Sequence, residues 1–132
     1  SNMITPRFGS AAATVNGRVY VIGGAQRVAT LEDEQSSVLE EYDPATDSWS
    51  IKSDMPTPRY CPVASVINDK IYVIGGITDP SGMTTIADAT PTALCEKYNL
   101  ITKTWSTNAS HPLPIIKGVN NGVWGGVIES KF

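Results

Sequence analysis

The run "YVIGG" stands at residues 20–24 and again, letter for letter, at 72–76. Around it the match extends without a gap: "MITPRFGSAAATVNGRVYVIGG" (3–24) and "MPTPRYCPVASVINDKIYVIGG" (55–76) share eleven of 22 positions. Phe8 stands with Tyr60, Val15 with Ile67 and Arg18 with Lys70, all conservative exchanges. A downstream stretch also repeats, "VLEEYDPATDSWS" (38–50) with "LCEKYNLITKTWS" (94–106). The first match has an offset of 52 and the second of 56, so the second copy carries four extra residues between glycine pair and tyrosine. Insertions of that kind belong in loops. Self-similarity at this period marks a chain assembled from like units.

Each unit reads as a set of short strands. Ala11 to Val15 is a small-residue and β-branched run, and Asn16-Gly17 is a two-residue hairpin turn with Asn68-Asp69 in the same place. Val19 to Ile22 and Ile71 to Ile74 are apolar throughout, which predicts strands covered on both faces. A polar loop follows the glycines, then a strand ending in Tyr42-Asp43-Pro44, a turn through 45–47 and a last strand bearing Trp49. Four antiparallel strands of this kind make one small twisted sheet, and a sheet apolar on both faces must stack on its own kind. Nine prolines and eleven glycines suit an all-β chain rich in turns. Radial stacking of such sheets is a β-propeller.

Composition narrows the partners. Hydrophobic residues form 41% of the chain, enough for a core, while a net charge of −3 and ten scattered basic residues argue against a nucleic-acid surface. No apolar stretch approaches the ~20 residues of a membrane-spanning helix. Cys61 and Cys95 lack metal-ligand spacing and read as a buried pair of thiols. The expectation is a cytoplasmic protein without cofactor, metal, nucleic acid or membrane among its partners. Ser1-Asn2 ahead of Met3 reads as an expression scar, which leaves open a native leader missing from this sequence.

The glycine pair after an apolar strand, then a tyrosine, then a tryptophan seven residues later resembles the kelch motif. Gly23-Gly24 with Tyr42 and Trp49, and Gly75-Gly76 with Tyr98 and Trp105, both keep that pattern, and "TPR" at 5–7 and 57–59 is similar to the family's entry turn. The resemblance implies kelch-like propeller blades at 3–54 and 55–112, with a partial, degenerate third repeat in 113–132. These glycines and aromatics read as structural, the aromatics packing between blades. About two and a half blades do not close a ring of the usual 4–8. Self-association into a homo-oligomer is the expected remedy; a piece of a longer propeller and an engineered minimal propeller without ligand are the alternatives.

Candidate chemistry is thin. His111 is the only histidine, so the two-histidine copper site of some kelch-like radical oxidases has no basis here. Glu32-Asp33-Glu34 lacks the spaced oxygen ligands of a calcium loop. Family resemblance instead implies a protein–protein interaction module that binds a peptide or protein on the propeller rim. By position the rim comprises Arg7, Phe8, Gly9, Arg59 and Tyr60 at the entry junctions, with Gln26, Arg27, Ile77, Thr78 and Asp79 in the loops. Arg7 and Arg59 are placed either to pair with an acidic peptide or to pin their own turns through backbone carbonyls. A sugar-processing enzyme resembling kelch-type sialic acid epimerases is the alternative; it needs Arg7, Arg59 and Glu32 in a central channel.

Overall fold

The computed structural model describes residues 1–27, 33–78 and 90–108. The first repeat supplies β1 (Ala11–Val15), β2 (Arg18–Ile22), β3 (Ala25–Arg27), β4 (Asp33–Gln35), β5 (Leu39–Asp43) and β6 (Ser48–Ile51). The second supplies β7 (Val63–Ile67), β8 (Lys70–Ile74), β9 (Ile77–Thr78), β10 (Thr90–Pro91), β11 (Cys95–Asn99) and β12 (Thr104–Asn108). Each repeat forms one four-stranded antiparallel sheet, in the order β1-β2-β5-β6 and β7-β8-β11-β12. All-β blades, as the sequence predicts, are what the chain builds.

Turn chemistry closes the first hairpin of each blade. Asn16 and Gly17 have φ of 52° and 73°, and Asn68 and Asp69 have 48° and 55°. Two successive left-handed residues match the twist of the flanking strands. The segments after the glycines, expected as plain loops, instead carry small ribbons: β3 pairs with β4 and β9 with β10. Their strands are two or three residues long, too short to leave a period in the sequence.

The core lies between the two sheets. Ala13, Tyr20, Ile22 and Leu39 of the first blade meet Met55, Ile71, Val73 and Tyr98 of the second. The two sets differ in parity: residues 20 and 22 face the junction from β2, whereas β8 presents 71 and 73, the counterparts of 19 and 21. Alternation along a strand puts neighbours on opposite faces. Each blade therefore gives one face to the junction and keeps the other outward. The expectation that both faces of β2 and β8 are covered is corrected: Val19, Val21, Tyr72 and Ile74 are half-buried among the described residues. Among the described residues no further sheet stacks on the outer sides; on the first blade the entry segment covers Glu40 there.

Backbone bonds also cross the junction. Gly24 N–H donates to the Arg59 carbonyl (2.8 Å), Met55 N–H to Ser37 (2.8 Å), and Cys61 N–H to Gly9 (2.8 Å). A longer bond runs from Arg59 N–H to the Ser36 carbonyl at 3.4 Å. The second glycine of each pair is demanded by close approach. At Gly24, φ is +97° and a Cβ would stand 2.6 Å from the Phe8 carbonyl oxygen; at Gly76, φ is +94° and it would stand 2.8 Å from that of Tyr60. The repeated glycine marks where the blade's own entry segment crosses the end of its second strand.

Candidate functional site

The entry segments 1–9 and 53–61 carry half of the expected site. Each is tied to its own blade by a tryptophan: Trp49 Nε1 donates to the Ser1 carbonyl (3.4 Å) and Trp105 Nε1 to that of Ser53 (2.7 Å). The tryptophans also pair with tyrosines across the strands, Tyr42–Trp49 at 5.0 Å and Tyr98–Trp105 at 5.2 Å between ring centroids. Packing between blades, the role expected of all four, belongs to Tyr98 with Trp105 behind it. The Tyr–Trp contact itself lies within a blade, because the spacing of seven spans a turn and sets the two rings directly opposite.

Arg7 and Arg59 do not project from the rim. Their side chains are fully enclosed, each 0% exposed. Arg59 donates to the carbonyls of Gly75 (3.2 Å), Leu94 (3.0 Å) and Val73 (3.4 Å), and to Glu96 Oε2 (2.8 Å). Arg7 repeats the set, donating to Gly23 (3.1 Å), Val21 (3.1 Å) and Val38, with Glu40 Oε1 at 3.4 Å. Burial pushes both guanidinium pKa values down, opposed by the facing carboxylates. The pinning role is the one the geometry realises: each arginine joins its entry turn to the end of its blade's second strand. Neither is available to an acidic peptide or to a sugar in a channel.

Glu40 and Glu96 were not singled out in the sequence, yet they organise the entry. Glu40 accepts from the backbone of Ile4 (2.9 Å) and Thr5 (3.0 Å); Glu96 accepts from the Thr57 hydroxyl (2.8 Å). Both are buried polar groups in strands. The available signal was a glutamate kept in both copies two residues before the repeated tyrosine, at the offset of 56.

On the rim the remaining candidates do converge. Phe8 pairs in isolated antiparallel fashion with Ala25, and Tyr60 with Ile77, so each entry segment lies beside the ribbon after its glycines. Gln26, Ile77 and Thr78 are half-buried there. The Phe8 and Tyr60 rings meet edge to face at 5.7 Å, inclined by 72°. Gly9 lies under Tyr60; a Cβ added to it would stand 2.2 Å from the ring. Phe8 keeps 44% of its surface exposed. Arg27 lies in β3 opposite Asp33. Asp79, Glu32, His111 and the expected third repeat lie outside the described residues. Cys95 is buried as expected, whereas Cys61, at φ of 50°, is only half-buried.

A second polar group lies on the sheet of the first blade. Glu41 accepts from Arg18 (2.8 Å) and the Tyr20 hydroxyl (2.7 Å), with Lys52 Nζ at 3.3 Å. Burial alone raises its carboxyl pKa, but these three donors outweigh that and hold it below the usual value. The Tyr20 phenol is pushed up, first by burial and then by Glu41.

Known proteins bear the same architecture. The family profile of the Kelch motif matches residues 6–56 and 58–110. Kelch repeat and BTB domain-containing protein 12 of Homo sapiens is 32% identical over 130 residues, covering 92% of this chain and 20% of its own. An F-box/kelch-repeat protein of Arabidopsis thaliana is 35% identical over 107 residues, covering 81% and 20%. The chain thus spans about a fifth of the length of these curated relatives. The solved structure of YjhT superposes with a TM-score of 0.68 at 22% identity, over 81% of this chain and 38% of that one. With the motif matched twice over most of its length, the chain belongs to the kelch-repeat family.

Proposed function

We propose that the protein is an interaction module that holds a peptide or protein partner on the rim formed by Phe8, Gly9, Tyr60, Gln26, Ile77 and Thr78. The observation that carries this reading is the exposed Phe8 ring set edge-on against Tyr60. An aromatic held by a neighbouring ring offers a large contact at little entropic cost. Because both arginines are enclosed, the partner chemistry is an apolar or aromatic side chain seated on this platform, not an acidic motif.

Selecting peptides from a random displayed library against the folded chain tests the reading. The recovered peptides are expected to carry an apolar or aromatic anchor and to shift the amide resonances of residues 8–9, 26, 60 and 77–78. Phe8→Ala is expected to weaken them at least about tenfold, the loss typical of an interface anchor, with the fold intact. Peptides that bind Phe8→Ala as tightly, or shift residues elsewhere, contradict it. A cytoplasmic setting belongs to the same proposal.

A further inference from the structure

Among the described residues, the outer faces of the two blades carry the two halves of the junction made between them. At that junction Ala13, Tyr20, Ile22 and Leu39 pack on Met55, Ile71, Val73 and Tyr98. Repeat offsets map the first set onto Ser65, Tyr72, Ile74 and Cys95, on the outer face of the second blade. They map the second set onto Met3, Val19, Val21 and Tyr42, on the outer face of the first. Five of these eight positions carry the same residue as their counterpart: Tyr72, Ile74, Met3, Val21 and Tyr42. Val19 and Cys95 are smaller than the Ile and Leu they match, so neither introduces a clash.

Burial separates the used copies from the unused ones at every position but Cys95, which is 4% exposed. Tyr98 and Met55 are each 2% exposed, whereas Tyr42 and Met3 are half-buried. Ile22 is fully buried and its counterpart Ile74 only half. The backbone register carries over too. The bonds Gly24 N–H to Arg59, Arg59 N–H to Ser36, Met55 N–H to Ser37 and Cys61 N–H to Gly9 translate to four others. These are Gly76 N–H to Arg7, Arg7 N–H to Thr92, Met3 N–H to Ala93 and Gly9 N–H to Cys61, with every donor a residue that has an N–H. Among the described residues the Gly76 N–H meets no acceptor.

We infer that the outer face of the second blade takes the first blade of another copy of this chain, head to tail, in the register of the internal junction. A second copy fits because its entry segment is already shaped for docking. Glu40 and Arg7 hold residues 4–7 as Glu96 and Arg59 hold their counterparts. The contact joins unlike surfaces, so it propagates until the rotation closes. Closure at 4–8 blades takes roughly two to four copies. Each new junction sets Phe8 of one copy beside Tyr60 of the next and repeats the aromatic pair around the rim.

Light scattering on the 132-residue chain is expected to give about two to four times the 14.1 kDa monomer mass. Val21→Arg blocks only the head and Ile74→Arg only the tail, so each variant is expected to be a folded monomer by light scattering and circular dichroism. Mixed, they are expected to form a 1:1 dimer, because the open tail of one meets the open head of the other. A wild-type monomer at every concentration overturns the inference, and is the result if residues 109–132 cover the face instead. A wild-type oligomer that survives one substitution overturns it as a contact between like faces, and a folded mixture that stays monomeric overturns the head-to-tail register. If either variant fails to fold, Val19→Lys and Tyr72→Lys repeat the pairing test.

Discussion

Arg59 is charged, enclosed and bonded to three carbonyls and a carboxylate. Removing one member of a buried ion pair leaves the other unpaired in a low dielectric, a loss of about 3–5 kcal/mol. Arg59→Ala and Glu96→Ala are therefore each expected to lower stability on that scale in urea unfolding, with the double substitution costing less than the sum. Unchanged stability in Arg59→Ala would return the arginine to the binding surface. Arg59→Lys is expected to fail as well, since one ammonium cannot reproduce the planar fork. Glu41 gives a pH signature. Its folded pKa is lowered, so its contribution is present above the unfolded carboxylate value of about 4.3 and fades as pH falls through the lower folded one. Glu41→Gln is expected to melt below wild type at pH 7, with the gap narrowing from about pH 5 to pH 3. "TPR" beside each strand was legible as a repeated arginine. Its partner was not, because a glutamate within "LEEYD" looks like a solvated strand residue until the fold brings the entry turn over it.

The hairpins show what two-residue turns demand. Asn68-Asp69 places aspartate at φ of 55° where the first blade has Gly17 at 73°. A non-glycine residue in that region is strained, while glycine raises the entropy of the unfolded chain, so the net gain is modest. Asp69→Gly is expected to stabilise by about 0.5–1 kcal/mol, and Gly17→Asp to cost a similar amount, both read as shifts of the urea midpoint. No shift in either would remove turn conformation as the reason for the Asn-Gly pair. Strands β1, β2, β5 and β6 were legible from β-branched runs, the turn and the Tyr–Trp spacing. Ribbons β3–β4 and β9–β10 were not. They owe their place to Gly24 and Gly76, which fold the chain back across the entry segment, and that contact joins residues distant in sequence.

At the scale of the whole molecule, the blades are halves of one structure. Their shared core and the bonds from Gly24, Met55, Arg59 and Cys61 lie between them, so neither sheet buries its inner face without the other. Repetition in the sequence announced this dependence; which residues face the junction did not follow, because both faces of β2 and β8 are apolar and only stacking chooses the parity. Amide hydrogen exchange on the intact chain tests the dependence most directly. The Gly24, Met55 and Cys61 amides are expected to be strongly protected and to exchange with the same opening free energy as the central amides of β2 and β8. Exchange of those three at the rate of an unfolded chain, with β2 and β8 still protected and opening independently, contradicts it.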